Sequence, residues 1–210
     1  LGSFGFTVFA GEDAVCTLTS SMGAISGNTY IMPVKDATLN VTVNVPNVID
    51  IENNYQSNSF VVTSYEGFEA LASFVNSGKG TLSGKTVYML HNIDMKSQKH
   101  TPIGVYTDDY SKSFSGTFVG NGFKVIALNV NDPNLDGAGL FGCSYNATFE
   151  RIGIASGSVN AKNRAGGLTG YGDTCIFTAC YNGADITTTG NECTIRLPDE
   201  CAYAILFFKN

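Results

Sequence analysis

Ala138-Gly-Leu-Phe-Gly142 returns as Gly166-Gly-Leu-Thr-Gly170, and Leu140 advances to Leu168, a step of 28. The segment between them moves by the same amount, so that Phe149 falls on Phe177 and Ile152 on Cys180. One turn earlier, Ile126 precedes Ile152, a step of 26. A period in this range is too long for a hairpin and too short for a propeller blade of roughly 40 to 45 residues; it fits one coil of a parallel β-helix. In such a stack each strand pairs with its equivalent in the next coil about 4.8 Å away, so equivalent side chains form ladders and only repeated apolar positions fill the interior. Leu140 over Leu168 and Phe149 over Phe177 are the expected ladders. Cys180 is expected to lie inside on Ile152 as a buried, inert thiol. Glycines 139, 142, 167 and 170 are expected at tight corners, where positive φ or close backbone approach is needed.

Composition agrees with an all-β chain. Of 210 residues, 43% are apolar, only 14% are charged, 24 are Gly, and Asn, Thr and Ser number 19, 20 and 17. An ordinary apolar share excludes disorder, and a surface covered by Asn, Ser, Thr and Gly argues against a helical bundle. The net charge is −6 and no block of five like charges occurs. Nucleic acid is therefore not an expected partner. No apolar run is long enough to span a bilayer, the densest being Ala202 to Phe208, so no membrane-inserting segment is expected within these residues.

Before the repeat, strands are expected at Phe6 to Phe9, Ala14 to Thr19, Thr29 to Met32 and Ala37 to Val45. The last alternates Leu39, Val41, Val43 and Val45 with polar residues, the period of a half-buried strand. Residues 4–47 read as a small β-sandwich-like module and the polar stretch 48–60 as a linker. Residues 61–210 then form a short right-handed parallel β-helix. It opens with a capping helix near 64–77: Thr63-Ser-Tyr-Glu66 has capping-box spacing, Phe68, Leu71, Ala72 and Val75 share one face, and Gly78 stops it. Such a cap blocks edge-to-edge association at an open stack end. Further strands are expected around Val87 to Met95, Phe114 to Phe118 and Ile126 to Val130. After Thr189 the repeat fades, and Cys201 to Phe208 is expected to supply a terminating strand or a partial coil.

Thr101-Pro-Ile-Gly104, Phe114-Ser-Gly-Thr-Phe-Val-Gly-Asn-Gly122, Ile126-Ala-Leu-Asn-Val130, Ala138-Gly-Leu-Phe-Gly142 and Ala165-Gly-Gly-Leu-Thr-Gly-Tyr171 together resemble the GLUG-motif repeats of bacterial surface and secreted proteins. Phe68-Glu-Ala-Leu71 and Asn92-Ile-Asp-Met95 match the usual lead-in, and the resemblance covers about residues 61 to 190. It implies an adhesin-like, extracellular protein, at the bacterial cell surface or secreted. It also extends to the non-catalytic region of some immunoglobulin A-cleaving metallopeptidases. The family commonly has an acidic residue before Gly-Asn-Gly and a His after it, where this chain has Val119 and Phe123. The opening Leu1-Gly2-Ser3 resembles a protease-site remnant left by cloning, which implies an excerpt of a larger polypeptide.

The search for chemistry finds no catalytic set. Asp108, Asp109, Asp132 and Asp136, with Lys112 and Lys124, are the groups a polysaccharide lyase or hydrolase on this fold would draw on. All four acids fall in expected loops, where Asp is a favoured turn residue. Calcium at Asp132 to Asp136 is the one cofactor kept open. His91, expected in a strand, and His100 lack any His-Glu-x-x-His or Gly-x-Ser-x-Gly context, and Gly116 to Gly122 reads as a corner rather than a nucleotide loop. The six cysteines show no zinc spacing. Asn40-Val-Thr42 and Asn146-Ala-Thr148 match the glycosylation pattern, which chance often produces in an Asn- and Thr-rich chain and which carries no weight if the source is bacterial, as the resemblance implies. The expected function is non-catalytic adhesion or binding of a host glycan or host protein, with immunoglobulin and mucin among the candidates. The candidate contact residues are Tyr106, Asp108, Asp109 and Tyr110 in one loop and Asp132 and Asp136 in another. The alternatives are a carbohydrate-active enzyme and a structural spacer or stalk.

Overall fold

The computed structural model describes residues 45–190 in full, with the backbone of strands at Ser3–Gly5, Val15–Ser20, Ala24–Ser26, Thr29–Ile31, Leu39–Asn44 and Ala204–Ile205. The chain divides into two compact units, Leu1–Val45 and Pro46–Asn210. In the first, Leu39–Asn44 runs antiparallel to Val15–Ser20 along its whole length. Thr29–Ile31 lies between Ser3–Gly5 and Ala24–Ser26, antiparallel to both, so the described strands of this unit form two antiparallel sheets. The expected strand at Phe6 to Phe9 lies outside the described residues.

The second unit is a parallel β-solenoid of about five coils. One five-stranded sheet stacks Ser59–Val62, Thr86–Met89, Thr117–Val119, Thr148–Glu150 and Ile176–Thr178, every neighbour parallel. The register places Phe60, Val87, Phe118, Phe149 and Phe177 in one ladder, of which the first four are fully buried. A second sheet stacks Ile93–Asp94, Lys124–Ile126, Gly153–Ile154, Cys180–Asn182 and Ala204–Ile205, with Ile93, Val125 and Ile154 as its interior ladder. Leu128–Asn131, Gly157–Ala161 and Asp185–Thr188 form a third, contributing Val130, Val159 and Ile186. Asp136–Ala138 over Asn163–Ala165 and Phe141–Tyr145 over Thr169–Asp173 close the coil. The expected register of Phe149 on Phe177 is observed.

The capping helix spans Tyr65–Asn76, with Phe68, Leu71, Ala72, Phe74 and Val75 buried against the N-terminal coils. Its N-cap is Ser64, one residue later than the capping-box spacing suggests; its hydroxyl accepts from the Gly67 N–H. A polar stripe on the helix ties it to the chain entering the next coil. The Tyr65 hydroxyl donates to the Lys99 carbonyl, and the Asn76 side chain donates to the Pro102 carbonyl and accepts from the Gly104 N–H. Between them, Glu69 accepts from the Thr101 N–H and lies 2.7 Å from Nδ1 of the buried His100.

Five expectations change. The coil step is not uniform: Thr86, Thr117 and Thr148 are evenly spaced, but the following step, from Thr148 to Ile176, is three positions shorter. Val125, not Ile126, is the interior residue, pairing with Ile154, because the corner at Ala127 (φ 55°) reverses the inside–outside phase. The repeated glycines divide: Gly139 and Gly167 lie in the bends that join two strands of a coil, Gly142 and Gly170 lie within strands, and none of the four has positive φ. Among the described residues the positive-φ corners are held largely by non-glycine residues, such as Asn146, Arg151 and Ala179, while Gly139 and Gly142 serve close packing between coils. A Cβ on Gly139 would stand 2.6 Å from the Gly166 carbonyl oxygen, closer than any real contact. The polar stretch 48–60 is folded: Val48–Asp50 is a 3-10 turn, Ile51–Asn54 a short helix, Val48 and Ile51 are buried, and Tyr55 packs on Phe74 at 4.9 Å. Finally, Cys180 is half-buried, its Sγ 3.4 Å from the Phe149 carbonyl, rather than fully interior.

Candidate functional site

One loop departs from the coil plan. Ile103 bridges Phe141 and Phe114 bridges Ser144, so between the same two bridges this chain segment carries an insertion that its neighbour in the next coil lacks. The Val105 N–H donates to the Lys112 carbonyl at 2.8 Å and closes the loop. Inside it, Asp109 Oδ1 accepts from the Ser111 N–H, and Tyr110 adopts a left-handed φ of 53°. Loops held on a rigid scaffold are where binding residues concentrate.

The insertion lies on the outer side of the strands Phe141–Tyr145 and Thr169–Asp173. The Tyr110 ring stacks on Tyr145, centroids 4.1 Å apart and planes within 5°. Its hydroxyl donates to Asp173 Oδ2 at 2.7 Å and lies 3.4 Å from the Tyr171 hydroxyl. Tyr171 and Asp173, both favouring the protonated phenol, raise its pKa well above the ordinary value. The Tyr110 hydroxyl is thus held as a donor to Asp173. Tyr106 meets Tyr110 and Tyr171 edge to face, at 5.9 and 5.2 Å. Arg164 lies over the rings of both Tyr106 and Tyr171, at 5.2 and 5.1 Å, while its Nη1 donates to Asp136 Oδ2 at 3.3 Å. Four tyrosines, one arginine and two carboxylates from five segments therefore make one surface. Tyr106 is its most exposed ring, at 37%, and the neighbouring Val105 in the loop is 47% exposed.

Of the six residues singled out from sequence, Tyr106 and Tyr110 belong to this cluster and Asp136 joins it through Arg164. Asp136, expected in a loop, opens the strand Asp136–Ala138, where pairing with Asn163 in the next coil fixes it. Asp108 is exposed in the loop. Asp109 and Asp132 cap turns, Asp132 accepting from the Asn134 N–H. The Ser111 N–H holds the Asp109 carboxyl below its ordinary range. Among the described residues no three acids, His or Cys are grouped as a metal ion requires, and Asp136 engages Arg164 rather than the Asp132 turn. His91, expected in a strand, is exposed in a bend. His100 is a structural link: its Nε2 lies 2.9 Å from the Leu140 carbonyl, its Nδ1 on Glu69.

Tyr145, Arg164, Tyr171 and Asp173 escaped the sequence reading. The repeat held the signal, since the step from Leu140 to Leu168 also carries Tyr145 to Asp173 and Cys143 to Tyr171, pairs the sheet register contains. The same step carries Asp136 to Arg164, its ion-pair partner.

Among known proteins, no family model matches the chain, and no curated protein or solved structure shows significant similarity.

Proposed function

We propose that this chain is a non-catalytic binding module of a secreted or surface-displayed protein, and that the tyrosine-lined face of the solenoid is where it contacts a glycan or protein ligand. The observation that carries this reading is the insertion between Ile103 and Phe114: unnecessary to the coil, it places Tyr106 and Tyr110 against Tyr145, Tyr171 and Arg164. Aromatic side chains with polar tips suit such a role, since they lose little conformational freedom and offer both apolar area and hydrogen bonds. The two carboxylates that touch the tyrosine–arginine cluster already have partners: Asp173 accepts from Tyr110 and Thr174, and Asp136 from Arg164. That favours a rigid recognition surface over one with a free acid and base. The GLUG-like motif series adds the expectation of a bacterial surface setting, with the ligand on a host.

The test compares the chain with a variant whose loop between Val105 and Lys112 is cut to a short Gly-containing turn, on arrays of glycans and host proteins. Binding that disappears with the loop, while the far-UV circular dichroism is retained, is expected. Binding indifferent to the loop, or release of unsaturated products from an acidic polysaccharide, would overturn the reading.

A further inference from the structure

Resting on that reading of the tyrosine face, we propose that its ligand is a neutral sugar, with the Tyr106 ring as the stacking platform and the Arg164–Asp136 pair as the reader of its hydroxyl groups. Three observations converge. First, the Tyr106 ring is fixed before any ligand arrives: Tyr110 and Tyr171 pack against it edge to face, and Arg164 lies over it, yet the residue remains 37% exposed. A ring that is held and still partly exposed costs little entropy to use. The apolar C–H face of a pyranose ring is the kind of flat, weakly apolar surface it can cover.

Second, polar groups that can address hydroxyls stand at the rim. Arg164 engages Asp136 through one Nη1 contact at 3.3 Å, and its planar fork carries further N–H donors. The Asp136 side chain is 50% exposed, leaving lone pairs open to an incoming O–H. A donor fork beside an acceptor is the pairing a vicinal diol satisfies with both of its hydroxyls.

Third, charge selects against acidic ligands. Asp108, Asp109, Asp136 and Asp173 outnumber Arg164 and Lys112 around the loop, and the chain as a whole carries −6. A sialic or uronic acid would have to displace Asp136 from Arg164 and then face the remaining carboxylates. A neutral hexose or N-acetylhexosamine meets no such cost.

The experiment titrates the chain with neutral oligosaccharides ending in glucose, galactose, mannose or N-acetylhexosamine, and with their sialylated or uronate counterparts. Saturation-transfer NMR reads sugar binding, and tyrosine emission, free of Trp, includes the four tyrosines of the face among the ten of the chain. We expect a neutral sugar to bind, Tyr106→Phe to retain it, and Tyr106→Ala to weaken it by about tenfold or more. Near-UV circular dichroism of both variants checks that the other tyrosines keep their packing. Tighter binding of the acidic series, or neutral binding untouched by Tyr106→Ala, would overturn the inference. If no sugar binds but a protein ligand does, in a loop-dependent way, the sugar inference fails while the binding-module reading stands.

Discussion

Replacing Phe149 by Ala tests the stacking logic of the solenoid most directly. The ring is fully buried, lies parallel to Phe177 at 5.1 Å and 11°, meets Phe141 at 4.9 Å and 63°, and approaches Phe114 at 5.9 Å. Removing it takes away the transfer energy of the side chain and leaves a cavity whose walls belong to three coils. Fully buried Phe→Ala changes cost about 3–5 kcal/mol, a large share of a typical domain stability of about 5–15 kcal/mol. With a urea m-value near ~2 kcal/mol/M, the midpoint should fall by roughly 2 M. Phe177, in the same ladder but half-buried in a later coil, should cost about 1–2 kcal/mol when cut to Ala. The contrast follows from a quasi-one-dimensional fold, in which a residue's worth is set by the coils stacked on either side of it. Urea titrations followed by far-UV circular dichroism and by tyrosine emission measure both variants. Equal losses at the two positions, or a loss for Phe149→Ala below about 1 kcal/mol, far under the usual cost of a buried ring, would refute the interior ladder.

Acid should loosen the capping helix. Burial acts to raise the Glu69 pKa, but hydrogen bonds from His100 and from the Thr101 N–H outweigh it and hold it below 4.5. The carboxylate therefore contributes stability above about pH 4.5, and that contribution is lost as pH falls through the depressed folded value. Glu69→Gln should be less stable at neutral pH and show a flatter acid limb, read by thermal melts from strongly acidic to neutral pH. Cys143 and Cys175 should be slow to react with iodoacetamide in the folded protein at mildly alkaline pH, because burial pushes their thiols up to about 12 and about 11. Peptide mapping should find both modified readily in urea, and fast native labelling of Cys143 would contradict its burial.

The solenoid was legible because stacking writes itself into the chain. Phe149 lies on Phe177 since a coil interior accepts only residues that recur at the coil step, so the ladder shows as a sequence repeat. The same reasoning failed where the step changed. The interior pair is Val125 with Ile154 rather than Ile126 with Ile152, and the phase reversal at Ala127 has no signature in an Ile126-Ala-Leu stretch. The buried Val48 and Ile51 likewise sit in a segment too polar and short to show periodicity, and only the neighbouring helix gives them a place to bury.

Sequence alone determined the class of architecture: low charge, many Asn, Thr, Ser and Gly, and the recurrence that carries Leu140 to Leu168 leave little besides stacked parallel strands. It also marked Tyr106 and Tyr110 as surface aromatics in a loop. Only the tertiary structure decided that they meet Tyr145, Arg164, Tyr171 and Asp173. Contacts between an insertion and neighbouring coils depend on where the loop folds and on the exact register beneath it. Neither is repeated along the chain, so neither leaves a local pattern to read.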